Sequence, residues 1–187
     1  WINTTIKLLI SKWKESGHNV LWSHCLQNIA AADFCFCLSF SNLIPFKMRK
    51  QFKHTLVVHE SDLPAGKGWS PLTWQIREGK SRIPITLFEA ADKIDSGQIY
   101  AQYWINLEGH ELIDELRDRQ ASATREICQW FVGHYPECLS EARVQQGQES
   151  FYARRSSEDS KLDPYKTIAE QFNLLRVVDN DRYRTFF

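Results

Sequence analysis

Two unbroken apolar runs of strand length do most to limit what this chain can fold into. Residues 33–40 read DFCFCLSF and residues 54–59 read HTLVVH. Neither run alternates polar and apolar residues, so both predict strands covered on two faces, as in a parallel sheet sandwiched by helices. Residues 44–52, after the polar pair Ser41-Asn42, have room for a short helix between them. Upstream, Ile6, Leu9, Ile10 and Trp13 recur at three- and four-residue steps, the period of an amphipathic helix over 1–17 that Gly17 closes. Residues 19–22 predict a short strand. Ser70 as N-cap, Pro71 at the first helical position and Gly79 at the end predict a helix over 70–79.

Helices alternating with continuous strands specify an α/β fold with a doubly wound, mostly parallel sheet. Such a sheet begins on a strand, whereas this chain begins on a helix, so a first strand is missing and residues before Trp1 are expected. The second half changes character. Residues 84–90 and 98–107 flank a turn at Asp95-Ser96-Gly97 and predict an antiparallel hairpin. Residues 112–144 carry helical periodicity, with a break near 133–136. A short edge strand at 150–155, a polar turn at 159–163 and a last helix at 167–178 complete the reading. The domains implied are 1–145, a catalytic body, and 146–187, a small C-terminal helical and hairpin extension forming part of an acceptor site.

Composition closes off several function classes. The 187 residues are 43% hydrophobic, which excludes a disordered chain and suffices for a sizeable core. Lys plus Arg and Asp plus Glu both total 23, so the basic excess of a nucleic-acid binder is absent. No apolar run is long enough for a bilayer and no signal peptide is visible, so no membrane partner and a cytoplasmic location are expected. An odd set of five cysteines without paired short spacings reads as reduced, buried core thiols. Cys35 and Cys37 share one strand face, but further metal ligands are lacking nearby, and none of the six histidines has a metal-binding spacing. No metal is expected.

Open α/β sheets bind ligands outside the carboxyl ends of their strands. His59, at the end of the HTLVVH run, titrates near neutrality and suits proton transfer there; a histidine that merely caps a strand is an equal alternative. Asp95 is read by itself as a turn residue. If the hairpin packs beside the His59 strand, its carboxylate orients the imidazole and raises its pKa. Gly66-Lys67-Gly68 lacks a full phosphate-loop spacing, and Arg154-Arg155 reads more readily as a solvated edge than as a phosphate clamp. Glu60, Asp62 and Glu89 form no patterned carboxylate pair.

The stretch VVHESDLPAGKGWSPLTWQIREGKSRIPITLFEAADKIDSGQIYAQ resembles the core of the folate-dependent formyltransferases. The resemblance rests on His59 at a strand end, Leu63-Pro64, Gly68 through Pro71, and Asp95-Ser96-Gly97. The C-terminal run, with Arg154-Arg155, Glu158-Asp159-Ser160, Asn173-Leu174-Leu175-Arg176 and Asp179 through Tyr183, is most similar to the sugar-nucleotide N-formyltransferases. The resemblance implies a formyltransferase fold and N10-formyltetrahydrofolate as co-substrate. It further implies an amino group on a nucleotide-linked sugar as acceptor, with a 4-amino-4,6-dideoxyhexose for bacterial surface glycans as the favoured case. Methionyl-tRNA or glycinamide ribonucleotide as acceptor, or a degenerate folate- or nucleotide-binding module, are the alternatives.

By the same resemblance His59 and Asp95 are catalytic. Leu43, Ala91, Lys93 and Asp95 hold the folate, and Lys67, Arg176 and Asn180 contact the nucleotide or its phosphates. The family places an Asn two residues before the His to bind the formyl oxygen; here that position is Val57. Losing one such donor typically costs about a hundred- to a thousandfold in rate. Asn42, or Ser41, is the candidate for replacing it. Thr55 sits about 6.6 Å from His59 by strand rise, too deep to serve. Residues 102–107 are read as a homodimer edge or, equally, as a buried strand.

Overall fold

The computed structural model describes residues 1–25 and 29–187. Its elements are α1 (Ile2–Glu15), β1 (Ala32–Cys37), α2 (Phe46–Arg49), β2 (Phe52–His59), β3 (Lys67–Gly68), α3 (Pro71–Arg77), β4 (Arg82–Glu89), β5 (Ile99–Asn106), α4 (Ile113–Gly133), β6 (Phe151–Tyr152) and α5 (Phe172–Arg176). The main sheet has the order β1-β2-β4-β5. β1 and β2 are parallel, with Cys37 opposite Val57. β4 runs antiparallel to both β2 and β5, which places Thr86 opposite His59 and confirms the hairpin around 95–97. β3 and β6 form a second, parallel pair.

The strands are apolar because both faces are covered. Ile83, Ile85 and Leu87 of β4 and Leu56 of β2 are fully buried. Leu56 and Leu87 pack with Leu9 of α1 and with Ile127, Cys128 and Phe131 of α4. Ile83 and Ile85 join Leu72, Ile76, Leu116 and Val177 in an adjoining cluster that draws in α3 and the C-terminal segment. Phe34, Phe36 and Trp13 extend the first cluster with ring contacts, Trp13 stacking on Phe36 at 5.0 Å. Residues 102–107 fall largely in β5, an outer strand of the sheet.

Four expectations are corrected. Residues 19–22 form no strand, for no neighbouring strand offers them hydrogen bonds. Ser70 precedes α3 but makes no side-chain cap, because it sits at φ 48° in the left-handed region. The last helix divides into a 3-10 turn, Ala169–Gln171, and the short α5, since the Gln171 side chain donates to the carbonyls of Asp163 and Lys166 and accepts from the Asp163 amide. Cys37, Cys128 and Cys138 are buried and Cys35 half-buried, but Cys25 is exposed. None of the described helices is long and apolar enough to cross a membrane.

Candidate active site

A cavity of about 500 Å³ opens at the carboxyl ends of β1 and β2, within the range of small-molecule sites. His59 ends β2 and reaches its wall. Its Nε2 lies 2.9 Å from the Gly66 carbonyl oxygen and 3.7 Å from Asp95 Oδ2. Both neighbours are acceptors, so the ring proton is assigned to Nε2. That leaves Nδ1 as the nitrogen that accepts a proton from a ligand, or donates one once the ring is charged. The Asp95 carboxylate, at ion-pair distance, fixes the orientation of the ring.

Asp95 itself is held on two sides. Its Oδ2 accepts from the Gly68 amide at 2.9 Å and its carbonyl accepts from Gln145 Nε2 at 2.9 Å. It sits at φ 48°, a left-handed conformation that Asp tolerates better than most residues. The loop that carries it is shaped by Gly97, where a Cβ would lie 1.6 Å from the Glu89 carbonyl oxygen. Arg49 fastens the same loop to the segment after β1: its NH1 donates to Ile44 O at 3.0 Å and to Ala91 O at 2.7 Å, and its NH2 pairs with Asp92. Sequence reasoning passed over Arg49, whose partners lie 42 and 43 residues away.

Six of the residues singled out from sequence converge on this cavity: His59, Asp95, Asn42, Leu43, Ala91 and Lys93. Ser41 and Val57 line it too, whereas Thr55 is buried away from it. Three residues expected at the acceptor end do not reach the wall. Lys67 is buried, with Nζ 2.6 Å from Glu149 Oε1. Arg176 is buried as well, its NH2 3.0 Å from Glu111 Oε2 and its Nε donating to the Glu111 carbonyl. Asn180 is exposed outside the cavity and accepts from Arg184 through its carbonyl.

Other groups take that place. Arg117, Arg154, Arg155, Asp179, Arg182 and Tyr183 line the far wall. Arg117 is neutralised by Asp179 at 2.6 Å. Arg154 lies over the Trp69 ring, 4.9 Å from its centroid. Arg155 is buried: it donates to Val177 O and Ser160 Oγ, and its Nε has no partner. Among the described residues, neither Arg154 nor Arg182 is paired with a carboxylate. The Arg154-Arg155 doublet was thus the available signal in the sequence: Arg154 is exposed along the cavity rim, whereas Arg155 is buried. Residues 146–187 are tied to the body by the β3–β6 pair and by the Arg176–Glu111 contact.

A histidine at a strand end and a carboxylate in the β4–β5 loop face one cavity with apolar walls and a basic end, the arrangement of a ligand site in an α/β protein. Residues 18–130 match the family model described as Formyl transferase, and the chain belongs to that family. It is 26% identical over 146 residues to the methionyl-tRNA formyltransferase of Mycoplasma capricolum, a match covering 77% of this chain and 46% of that protein. The chain spans about half the length of the curated relatives it matches. In fold it is similar to a methionyl-tRNA formyltransferase from Clostridium thermocellum, with TM-score 0.77, 20% identity, and coverage of 99% of this chain and 84% of that one. It is also similar to the sugar 3N-formyltransferase WlaRD, solved in the presence of dTDP and 5-N-formyl-THF, with TM-score 0.64, 19% identity, and coverage of 81% and 56%.

Proposed function

We infer that this chain transfers a formyl group from N10-formyltetrahydrofolate to the amino group of an anionic acceptor. The acceptor favoured is a nucleotide-linked amino sugar, such as a 4-amino-4,6-dideoxyhexose on UDP or dTDP destined for a bacterial surface glycan. The observation that carries this reading is the single cavity shared by His59 and Asp95 with the carboxylate-free guanidinium groups of Arg154 and Arg182. Such groups recognise phosphate oxygens by charge-assisted hydrogen bonds. Leu43, Ile44, Val57, Phe88 and Ile94 supply apolar walls suited to a flat pteridine ring, beside the 91–95 loop. The resemblance to a sugar formyltransferase solved with dTDP and a formyl-folate supports the same choice.

In this reading the acceptor nitrogen attacks the formyl carbon, charge develops on the formyl oxygen, and the bond to N10 breaks. His59, oriented by Asp95, meets the developing negative charge through Nδ1. Asn42 is placed on the same cavity wall to assist. Methionyl-tRNA is the second reading, favoured by the curated relatives.

The test supplies N10-formyltetrahydrofolate with UDP- and dTDP-linked amino sugars and, in parallel, methionyl-tRNA, and reads gain of one formyl group by mass spectrometry. A formylated sugar is expected, with the acceptor KM raised about ten- to a hundredfold in Arg154→Ala and Arg182→Ala and the folate KM unmoved. Formylation of methionyl-tRNA alone establishes the second reading. Folate binding with no formylated amine overturns both.

A further inference from the structure

Glu60 follows the catalytic histidine directly, yet nothing above gives it a role. Its side chain lines the same cavity as His59. Oε1 accepts from Gln120 Nε2 of α4 at 2.6 Å, and the Glu60 carbonyl accepts from Gln75 Nε2 of α3. The first contact tethers the carboxylate to α4, and the second fixes the backbone beneath it to α3. Besides Gln120, the Glu60 backbone amide also acts on the carboxylate, and among the described residues no Lys or Arg pairs with it. The result is a tethered carboxylate on the cavity wall with no cation neutralising it and Gln120 as its side-chain donor among the described residues.

Formyl transfer to an amine makes two demands at once. The attacking nitrogen loses a proton while the formyl oxygen gathers negative charge. His59 cannot meet both, because Nε2 is committed to Gly66 O and Asp95 and only Nδ1 remains. Two residues back on the same strand face, Val57 offers no donor for the oxygen. If Nδ1 serves the oxygen, the base must be another group, and Glu60 is the adjacent carboxylate on the cavity wall, with no cation paired to it among the described residues.

We propose that Glu60 is the catalytic base for the acceptor amine, leaving His59 to stabilise the formyl oxygen. This rests on the formyl-transfer reading above. The new bond joins the acceptor nitrogen to the formyl carbon as its proton passes to Glu60 Oε2. The bond from that carbon to N10 then breaks, and the same proton goes to N10, so the carboxylate is regenerated with no net proton change. Burial pushes the Glu60 carboxyl up from its ordinary range, Asp95 reinforces this, and His59 and the Gln120 hydrogen bond oppose it. A raised carboxyl is a better base near neutral pH. The charged groups around it are His59 on β2, Asp95 and Lys93 in the β4–β5 loop, Arg117 on α4, paired with Asp179, and Arg154, Arg155 and Arg182 from the C-terminal segment. α3 contributes only neutral Gln75.

The experiment measures kcat against pH at saturating N10-formyltetrahydrofolate and amino-sugar nucleotide for wild type, Glu60→Gln and Glu60→Asp. Folate affinity is read separately by fluorescence titration. Gln keeps the size of Glu and can still accept from Gln120, so the fold is retained. Glu60→Gln is expected to lower kcat about a hundredfold and to remove the acid limb of the profile, with folate affinity unchanged and partial recovery in Glu60→Asp. A Glu60→Gln protein within threefold of wild type, or one that keeps the acid limb, overturns the assignment and leaves formyl transfer standing. A wild-type protein that formylates no amine overturns the formyl-transfer reading, and the role of Glu60 with it.

Discussion

His59 owes its position to strand length: β2 runs out opposite Thr86, so its last residue meets the cavity while Leu56 remains in the core. Its tautomer follows from two acceptors crowding one nitrogen, which makes the ring sensitive to replacement by anything that cannot carry charge. His59→Asn is expected to lower kcat on the order of a thousandfold, checked by steady-state kinetics, while folate binding persists because the apolar walls are untouched. This pair was legible in the sequence, since a polar residue closing an apolar run marks a strand end. Lys67 and Arg176 were misplaced because their partners, Glu149 and Glu111, lie 82 and 65 residues away. A cation's fate in a fold depends on such distant carboxylates, and no local pattern reveals them.

Among the elements, the β4–β5 hairpin carries the most exacting geometry. Its turn brings Gly97 against the Glu89 backbone so closely that a methyl group cannot be accommodated without moving one strand. Gly97→Ala is therefore expected to cost at least about 3 kcal/mol, read by thermal or denaturant unfolding, and to displace Asp95 from His59. The hairpin was legible because Asp-Ser-Gly between two extended runs has a mechanism. The C-terminal helix was not, because the Gln171 side chain bonds to Asp163 and breaks a periodicity that otherwise reads as continuous. Strand pairing direction was only partly legible: apolar runs reveal burial on both faces, but not that β4 would turn back along β2.

For the molecule as a whole, the ion pair between Glu111 and Arg176 fastens the C-terminal segment to the head of α4. Both side chains are almost fully buried. Burial alone would raise the Glu111 carboxyl; amide hydrogens from Glu108 and Gly109, with Arg119 nearby, more than offset this and hold it at about 2. Because the folded value lies below the unfolded one, its stabilisation is present in full above about pH 4.5 and disappears as pH falls through about 2. Glu111→Gln leaves the Arg176 charge buried and unpaired, an expected loss of about 3–5 kcal/mol by denaturant titration at pH 7. The same variant is expected to lose the Glu111 share of the pH dependence of stability between about 4.5 and about 2, leaving the share of the other lowered carboxylates, such as Asp159 and Asp179.

The second, two-stranded pairing bears on when the support behind His59 forms during synthesis. The Gly66 carbonyl that holds His59 belongs to a segment whose amide bonds to Ser150 Oγ, 84 residues later, and the Lys67 and Trp69 amides bond to Ser150 and Tyr152. A nascent chain on the ribosome displays the whole HESDLP motif long before that clasp exists. The support behind His59 is therefore completed only once residues 150–152 have been made, through one long loop closure. A chain cut short before residue 150 would keep the family's sequence signature and lack the clasp behind His59.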